Sequence, residues 1–156
     1  MAAHRGLGAL GFQFVSGDAA RAWVNHYYRT FAAGPDRLAD YATNPNIALV
    51  CGFMCAPTDE EAEFLASSVY QRVLGILTGD RRRLQPPVPN FWAQVPPNAR
   101  EAIGSFLAAA VIGGPAQVRE GLDTLAKATQ ADEFMLVCDV YDPALRLRAL
   151  DIAAGC

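Results

Sequence analysis

Apolar and polar positions alternate along this chain between two periods. Residues Gly8 to Ser16 (GALGFQFVS) form a short apolar run bounded by small residues, as in a buried strand. Ser16-Gly17-Asp18 then offers a helix cap, followed by Ala20, Trp23, Val24, Tyr27, Tyr28 and Phe31 at spacings of three and four, a continuous apolar stripe. Gly34-Pro35 ends that helix and Asn44-Pro45-Asn46 makes a turn. Ile47 to Ala56 (IALVCGFMCA) is a second apolar run of strand length. Thr58 and Glu61 then form a capping box, with Asp59 and Glu60 at the positive end of the helix dipole. The helix they open carries Ala62, Leu65, Ala66, Val69, Val73 and Leu77 on one stripe and stops at Gly79.

Residues 80–98 break this rhythm, with Pro86, Pro87, Pro89, Pro96 and Pro97 around Phe91 and Trp92. Such a stretch is a packed surface loop anchored by its two aromatic side chains, or a cover over a cleft. Arg100 to Ile112 reads as helical, and Gly113-Gly114-Pro115 closes it and starts the next helix with proline at its first position. Val118, Leu122, Leu125 and Ala126 give that helix its inner stripe. Phe134 to Tyr141 (FMLVCDVY) is the third strand, and Asp142-Pro143 caps a last helix through Leu147, Leu150 and Ile152. Strands alternating with helices imply parallel pairing. Three strands are few for an open sheet, and a closed (β/α)8 barrel needs eight strands and about 250 residues. The expected fold is therefore α/β: part of a (β/α)8 barrel, about three parallel strands with flanking helices, in one domain over residues 1–156 with 80–110 as an insertion.

Composition sharpens this picture. The 156 residues are 52% hydrophobic and 19% charged, a balance suited to strands covered on both faces. With a net charge of −3 and no basic stripe, nucleic-acid binding is not expected. The one basic cluster, Arg81-Arg82-Arg83, reads as a solvated loop, with phosphate or membrane contact as the minor reading. Three of the four cysteines (Cys51, Cys55, Cys138 and Cys156) lie in apolar segments, the pattern of reduced core thiols. With His4 and His26 the only histidines, four convergent zinc ligands are not in view, and no metal is expected. No run approaches the ~18 apolar residues of a membrane span and no signal peptide is evident, so the expected setting is cytoplasmic.

Several segments resemble the luciferase-like, flavin-dependent monooxygenases. The most specific is NPNIALVCGFMCAPTDEEA (Asn44 to Ala62): a turn, an apolar strand and an acidic helix start. VIGGPAQVREGLDTL (Val111 to Leu125) is similar to the family's Gly-x-Pro-x-x-Val helix start, and ADEFMLVCDVYD (Ala131 to Asp142) to its last barrel strand. GALGFQFVSGDAARAWVNHYY fits a late strand and helix. The likeness covers nearly the whole chain but only the C-terminal portion of the family. It implies a barrel oxidoreductase using reduced FMN, or a deazaflavin in some branches, to oxygenate a small organic substrate. The family holds its flavin largely with earlier strands, so the resemblance also implies a complementing N-terminal half. The alternative is a non-catalytic α/β module that forms a homo-oligomer through its exposed sheet.

Catalytic groups of barrels sit at the C-terminal ends of strands. Alternation places Ala9, Gly11, Gln13 and Val15 on one face of the first strand. Ala48, Val50, Gly52 and Met54 share a face of the second, and Met135, Val137, Asp139 and Tyr141 of the third. Gln13, Met54, Asp139 and Tyr141 are thus the expected pocket-facing, cofactor-binding candidates. A carboxylate in an apolar strand needs a partner, so Asp139 has either a site role or a structural ion pair with an arginine. His26 has no evident acid–base partner, and no catalytic residue is assigned.

Overall fold

The computed structural model describes residue 3 and residues 9–11, 17–31 and 44–155, with the backbone alone at 9–11 and 17–21. The elements are β1 (Ala9–Gly11), α1 (Gly17–Phe31), β2 (Ile47–Cys55), α2 (Asp59–Thr78), a 3-10 turn (Phe91–Gln94), α3 (Pro97–Phe106), β3 (Val111–Gly113), α4 (Pro115–Thr129), β4 (Glu133–Val137) and α5 (Pro143–Ala154). Gln13, His4, Cys156 and most of the expected first strand lie outside the described residues.

β2 is the hub. It pairs in parallel with β1 (Ala9 opposite Ile47 to Gly11 opposite Leu49) and with β4 (Ala48 opposite Glu133 to Gly52 opposite Val137). Because both partners meet Ala48 and Leu49, they flank β2 on opposite edges. β4 reaches only as far as Gly52, and beyond it Phe53, Met54 and Cys55 pair with Val111, Ile112 and Gly113 of β3.

That fourth strand is the main departure from the sequence-based expectation. The stretch read as helix to Ile112 ends at Phe106, turns through an Ala110 N–H to Leu107 carbonyl bond of 2.8 Å, and becomes extended at Val111. The physical reason lies in β2: its last backbone groups would otherwise be buried without partners. β3 supplies them, and the Ala56 N–H donates to the Gly113 carbonyl at 3.3 Å. The expected third strand is also shorter, ending at Val137 rather than Tyr141.

The local signals around β2 act as their chemistry dictates. The Thr58 hydroxyl accepts from the Glu61 N–H at 3.2 Å, and Gly79 closes α2 at φ 81°. Gly114 caps α4 with Pro115 at the first helical position, and its N–H donates to the Asp59 carboxylate at 2.6 Å. The anion-friendly start of α4 is thus filled by the chain's own acid. The Asp142 carboxylate accepts from the Ala144 N–H at 2.8 Å and starts α5.

The sheet is covered on both faces near the C-terminal end of β2. On one face Cys51, Phe53, Cys55 and Val111 pack against Val118 of α4 and Ala149 of α5. On the other, Met54 packs with Leu65, Ala66 and Val73 of α2, Ile103 of α3, and Phe91 and Val95 of the loop between them. That loop is anchored by its aromatic residues. Trp92 and Phe91 lie 4.6 and 5.6 Å from the Tyr70 ring, and both Trp92 Nε1 and the Tyr70 hydroxyl donate to the Glu63 carboxylate. Burial and the adjacent Glu63 charge push the Tyr70 hydroxyl well above its ordinary pKa. At the opposite end of the sheet, Asp132 accepts from the Ile47 N–H at 2.8 Å and from the Tyr28 hydroxyl at 3.2 Å, fastening α1 to β2 and β4. Among the described residues no helix is long and apolar enough to cross a membrane.

Candidate functional site

A cavity of about 50 Å³ lies between the sheet and the α2–α3 pair at the C-terminal ends of β2 and β4. Its floor is the face that strand alternation singles out. Gly52 and Val137 are a paired rung; Met54 stands two residues further along β2, and Asp139 two residues past the end of β4. Gly52 has no side chain to fill the space, so the cavity opens there. The roof is helical: Val69, Arg72, Val73 and Ile76 are one turn-spaced row of α2, and Phe106 and Leu107 come from the end of α3.

Met54 is buried and fixed by this packing. Asp139 is half-buried, and its carboxylate meets the Arg72 guanidinium at 2.9 Å. The arginine foreseen as a possible partner for that carboxylate is therefore present, on a helix far away in sequence. Both side chains reach solvent, so the pair contributes at most about 1 kcal/mol to stability. Its geometric effect is larger, because it closes one end of the cavity with a polar contact in an otherwise apolar wall.

The other two candidates are not brought to this place. Tyr141 follows the end of β4, where alternation no longer governs direction; it is 49% exposed and does not line the cavity. Its neighbour Val140 turns inward instead and joins the α2 core. Gln13 lies outside the described residues. Arg72, Ile112 and Leu107 line the cavity without having been singled out from sequence. Arg72 carried a usable signal, a charge inside the row Val69, Val73, Ile76 where an apolar side chain would be ordinary. Ile112 carried none, because its strand is three residues long.

The thiols face elsewhere. Cys51 is fully buried on the opposite face of β2, and its sulfur donates to the Ala109 carbonyl at 3.0 Å. Burial pushes the Cys51 and Cys138 thiols up to about 11, so both stay protonated at neutral pH.

No family model matches the chain. A luciferase-like monooxygenase of Escherichia coli (strain K12) is 31% identical over 110 residues, 68% of this chain and 32% of that protein. The Bacillus subtilis protein YvbT is 32% identical over 116 residues, 74% of this chain and 34% of that protein. Among solved structures, apo-MsnO8 shares 30% identity and superposes with a TM-score of 0.79, covering 99% of this chain and 46% of its own. The oxygenating constituent of 3,6-diketocamphane monooxygenase from Pseudomonas putida, solved in complex with FMN, shares the fold at 19% identity and a TM-score of 0.58, over 98% of this chain and 44% of its own. The chain spans about a third of the length of the curated relatives it matches. Its strand–helix wall corresponds to part of the (β/α)8 barrel of these structural neighbours.

Proposed function

Because the chain belongs to the luciferase-like monooxygenase family, we propose that it forms one wall of the active site of a flavin-dependent monooxygenase, which uses reduced FMN and O2 to oxygenate a small organic substrate. The observation that carries this reading is that Met54, near the end of β2, and Asp139, just past the end of β4, line one cavity at the C-terminal ends of two parallel strands, the end at which barrel enzymes gather their reacting groups. FMN is bound by one structural neighbour, the diketocamphane monooxygenase component. The free, buried thiols of Cys51 and Cys55 suit a reducing, cytoplasmic setting.

A flavin does not fit inside the described cavity. Its volume of about 50 Å³ falls well short of the ~300 Å³ at which pockets for cofactor-sized ligands begin. The described residues therefore supply a wall and not a complete flavin site, and no chemical step is assigned to Met54 or Asp139. In this proposal the other walls come from a complementing N-terminal half.

The test is to titrate FMN into the chain alone and into the chain mixed with a polypeptide carrying the remaining part of the Escherichia coli relative. Gel filtration with detection at the visible flavin bands then reports what is retained. Flavin retained by the mixture and not by the chain alone is the expected result. A stable mixed complex that carries no flavin overturns it. That outcome favours the second reading, a non-catalytic α/β module that self-associates through its sheet, for which the exposure of Met135 on the sheet face speaks.

A further inference from the structure

Three consecutive arginines, Arg81, Arg82 and Arg83, follow α2 and take no part in the cavity described above. The segment that carries them forms a separate open pocket of about 290 Å³ against α2, walled by Gln71, Arg72, Asp80, Arg82, Arg83 and Gln85. Its shape is built into the sequence. A Cβ at Gly75 would stand 2.5 Å from the Asp80 carbonyl oxygen, so α2 carries a glycine where the arginine segment crosses it. Further along, the Gln71 side-chain amide donates to the Pro86 carbonyl at 2.9 Å and pins the far end of the segment to the same helix. Between these two fastenings, Gln85 Nε2 donates to the Arg83 carbonyl at 2.8 Å. Asp80 holds Arg82 in a two-point clasp, Nε at 3.0 Å and Nη2 at 2.7 Å.

One positive charge at the pocket is left without a counter-ion. Three guanidiniums and one carboxylate line the pocket. Arg72 reaches out of it to Asp139, and Arg83 makes no ion pair among the described residues. With Arg82 paired to Asp80 and Arg72 to Asp139, Arg83 is the guanidinium at the pocket left open to an anion. Guanidinium forks match the oxygen spacing of tetrahedral oxyanions and bind them in a directional way that a halide cannot reproduce.

We propose that this pocket binds a small oxyanion of the phosphate class, either the free ion or a phosphate monoester, with Arg83 as the principal donor and the outer Nη1 of Arg82, which Asp80 does not engage, beside it. The site is independent of the flavin proposal, since it lies on the solvent side of α2 and needs no other polypeptide.

The test is an amide chemical-shift titration of the full chain with inorganic phosphate, repeated with phenyl phosphate, at constant ionic strength made up with sodium chloride. Saturable shifts confined to residues 71–75 and 80–85 are expected. Arg83→Ala should weaken binding about tenfold, the loss of one charge-assisted contact. Gly75→Ala should weaken it too, by displacing the segment. Arg81→Ala, at an exposed arginine that does not line the pocket, should leave it unchanged. Saturation by both probes assigns the site to monoesters, and saturation by inorganic phosphate alone to the free ion. Shifts that chloride reproduces, or equal weakening by Arg81→Ala and Arg83→Ala, overturn the proposal in favour of diffuse surface charge.

Discussion

The two ends of one sheet face are finished differently. Toward the C-terminal ends of β2 and β4, Gly52, Met54, Val137 and Asp139 lie beneath α2 and α3, and a small cavity is all that stays open. On the same face, one alternation step before Val137, Met135 is 53% exposed, and Glu133 is exposed as well. The strands and the alternation are the same, and Met135 even stands opposite the buried Val50. What differs is the origin of the cover. α2 follows β2 directly and α3 leads into β3, so the covered end is closed by neighbours in sequence, at little cost in loop entropy. Among the described residues, no such neighbour covers Met135. The chain thus completes the end where its candidate site lies and leaves the other as a surface fit to pack against a further unit.

The largest expected effect belongs to the covered end. Ile103 is fully buried between α2, α3 and the loop. Ile103→Ala should lower unfolding stability by about 2–5 kcal/mol, the usual cost of such a cavity. Urea denaturation followed by far-UV circular dichroism measures it. A loss under ~0.5 kcal/mol would mean that α3 is not the cover described here.

A smaller effect arises on the opposite face of β2. Burial raises the Cys51 and Cys138 thiols from 9.0 to about 11 in the folded chain. Above pH 9 the unfolded chain releases these protons first, so it binds fewer protons than the folded state and stability falls as pH rises. The decline should run from pH 9 to about 11 and then level off. Urea midpoints at pH 8 and pH 10.5 measure it, and Cys51→Ala should make the decline shallower. A decline of equal depth in that variant would place the titration elsewhere.

Legibility followed the range of the forces involved. The limits of α2 could be read because a threonine N-cap and a left-handed glycine act over three or four residues, although the Glu61 carboxylate of the expected capping box turns to Arg148 instead. Met54 could be placed because alternation holds along β2, whereas Asp139 lies past the end of β4 and reaches the same cavity through its ion pair with Arg72. Tyr141 does not join that cavity, because the strand stops at Val137 and the rule of alternation stops with it. β3 was missed because a three-residue strand has no period to detect, and its Val111 and Ile112 continue the apolar run of the helix before it. Arg72 was missed as a partner because ion pairs between distant segments are a property of the packed fold. No local pattern encodes them.

The smallest expected change tests the contrast most directly. A carboxylate placed at Met135 stays in water if that face is open, so Met135→Glu should move the stability of the isolated chain by no more than ~0.5 kcal/mol. The same carboxylate becomes costly once another unit covers the face, because burying a charge without a partner is strongly unfavourable. If the proposed complementing half, or a second copy at high concentration, packs on this face, that association should be lost in this variant while the urea midpoint of the dilute chain stays put. Sedimentation velocity across a concentration series reads the first and urea titration the second. A large drop in the midpoint of the dilute chain would show that Met135 is already covered from within. The two ends of the face would then be alike, and the contrast between them would fall.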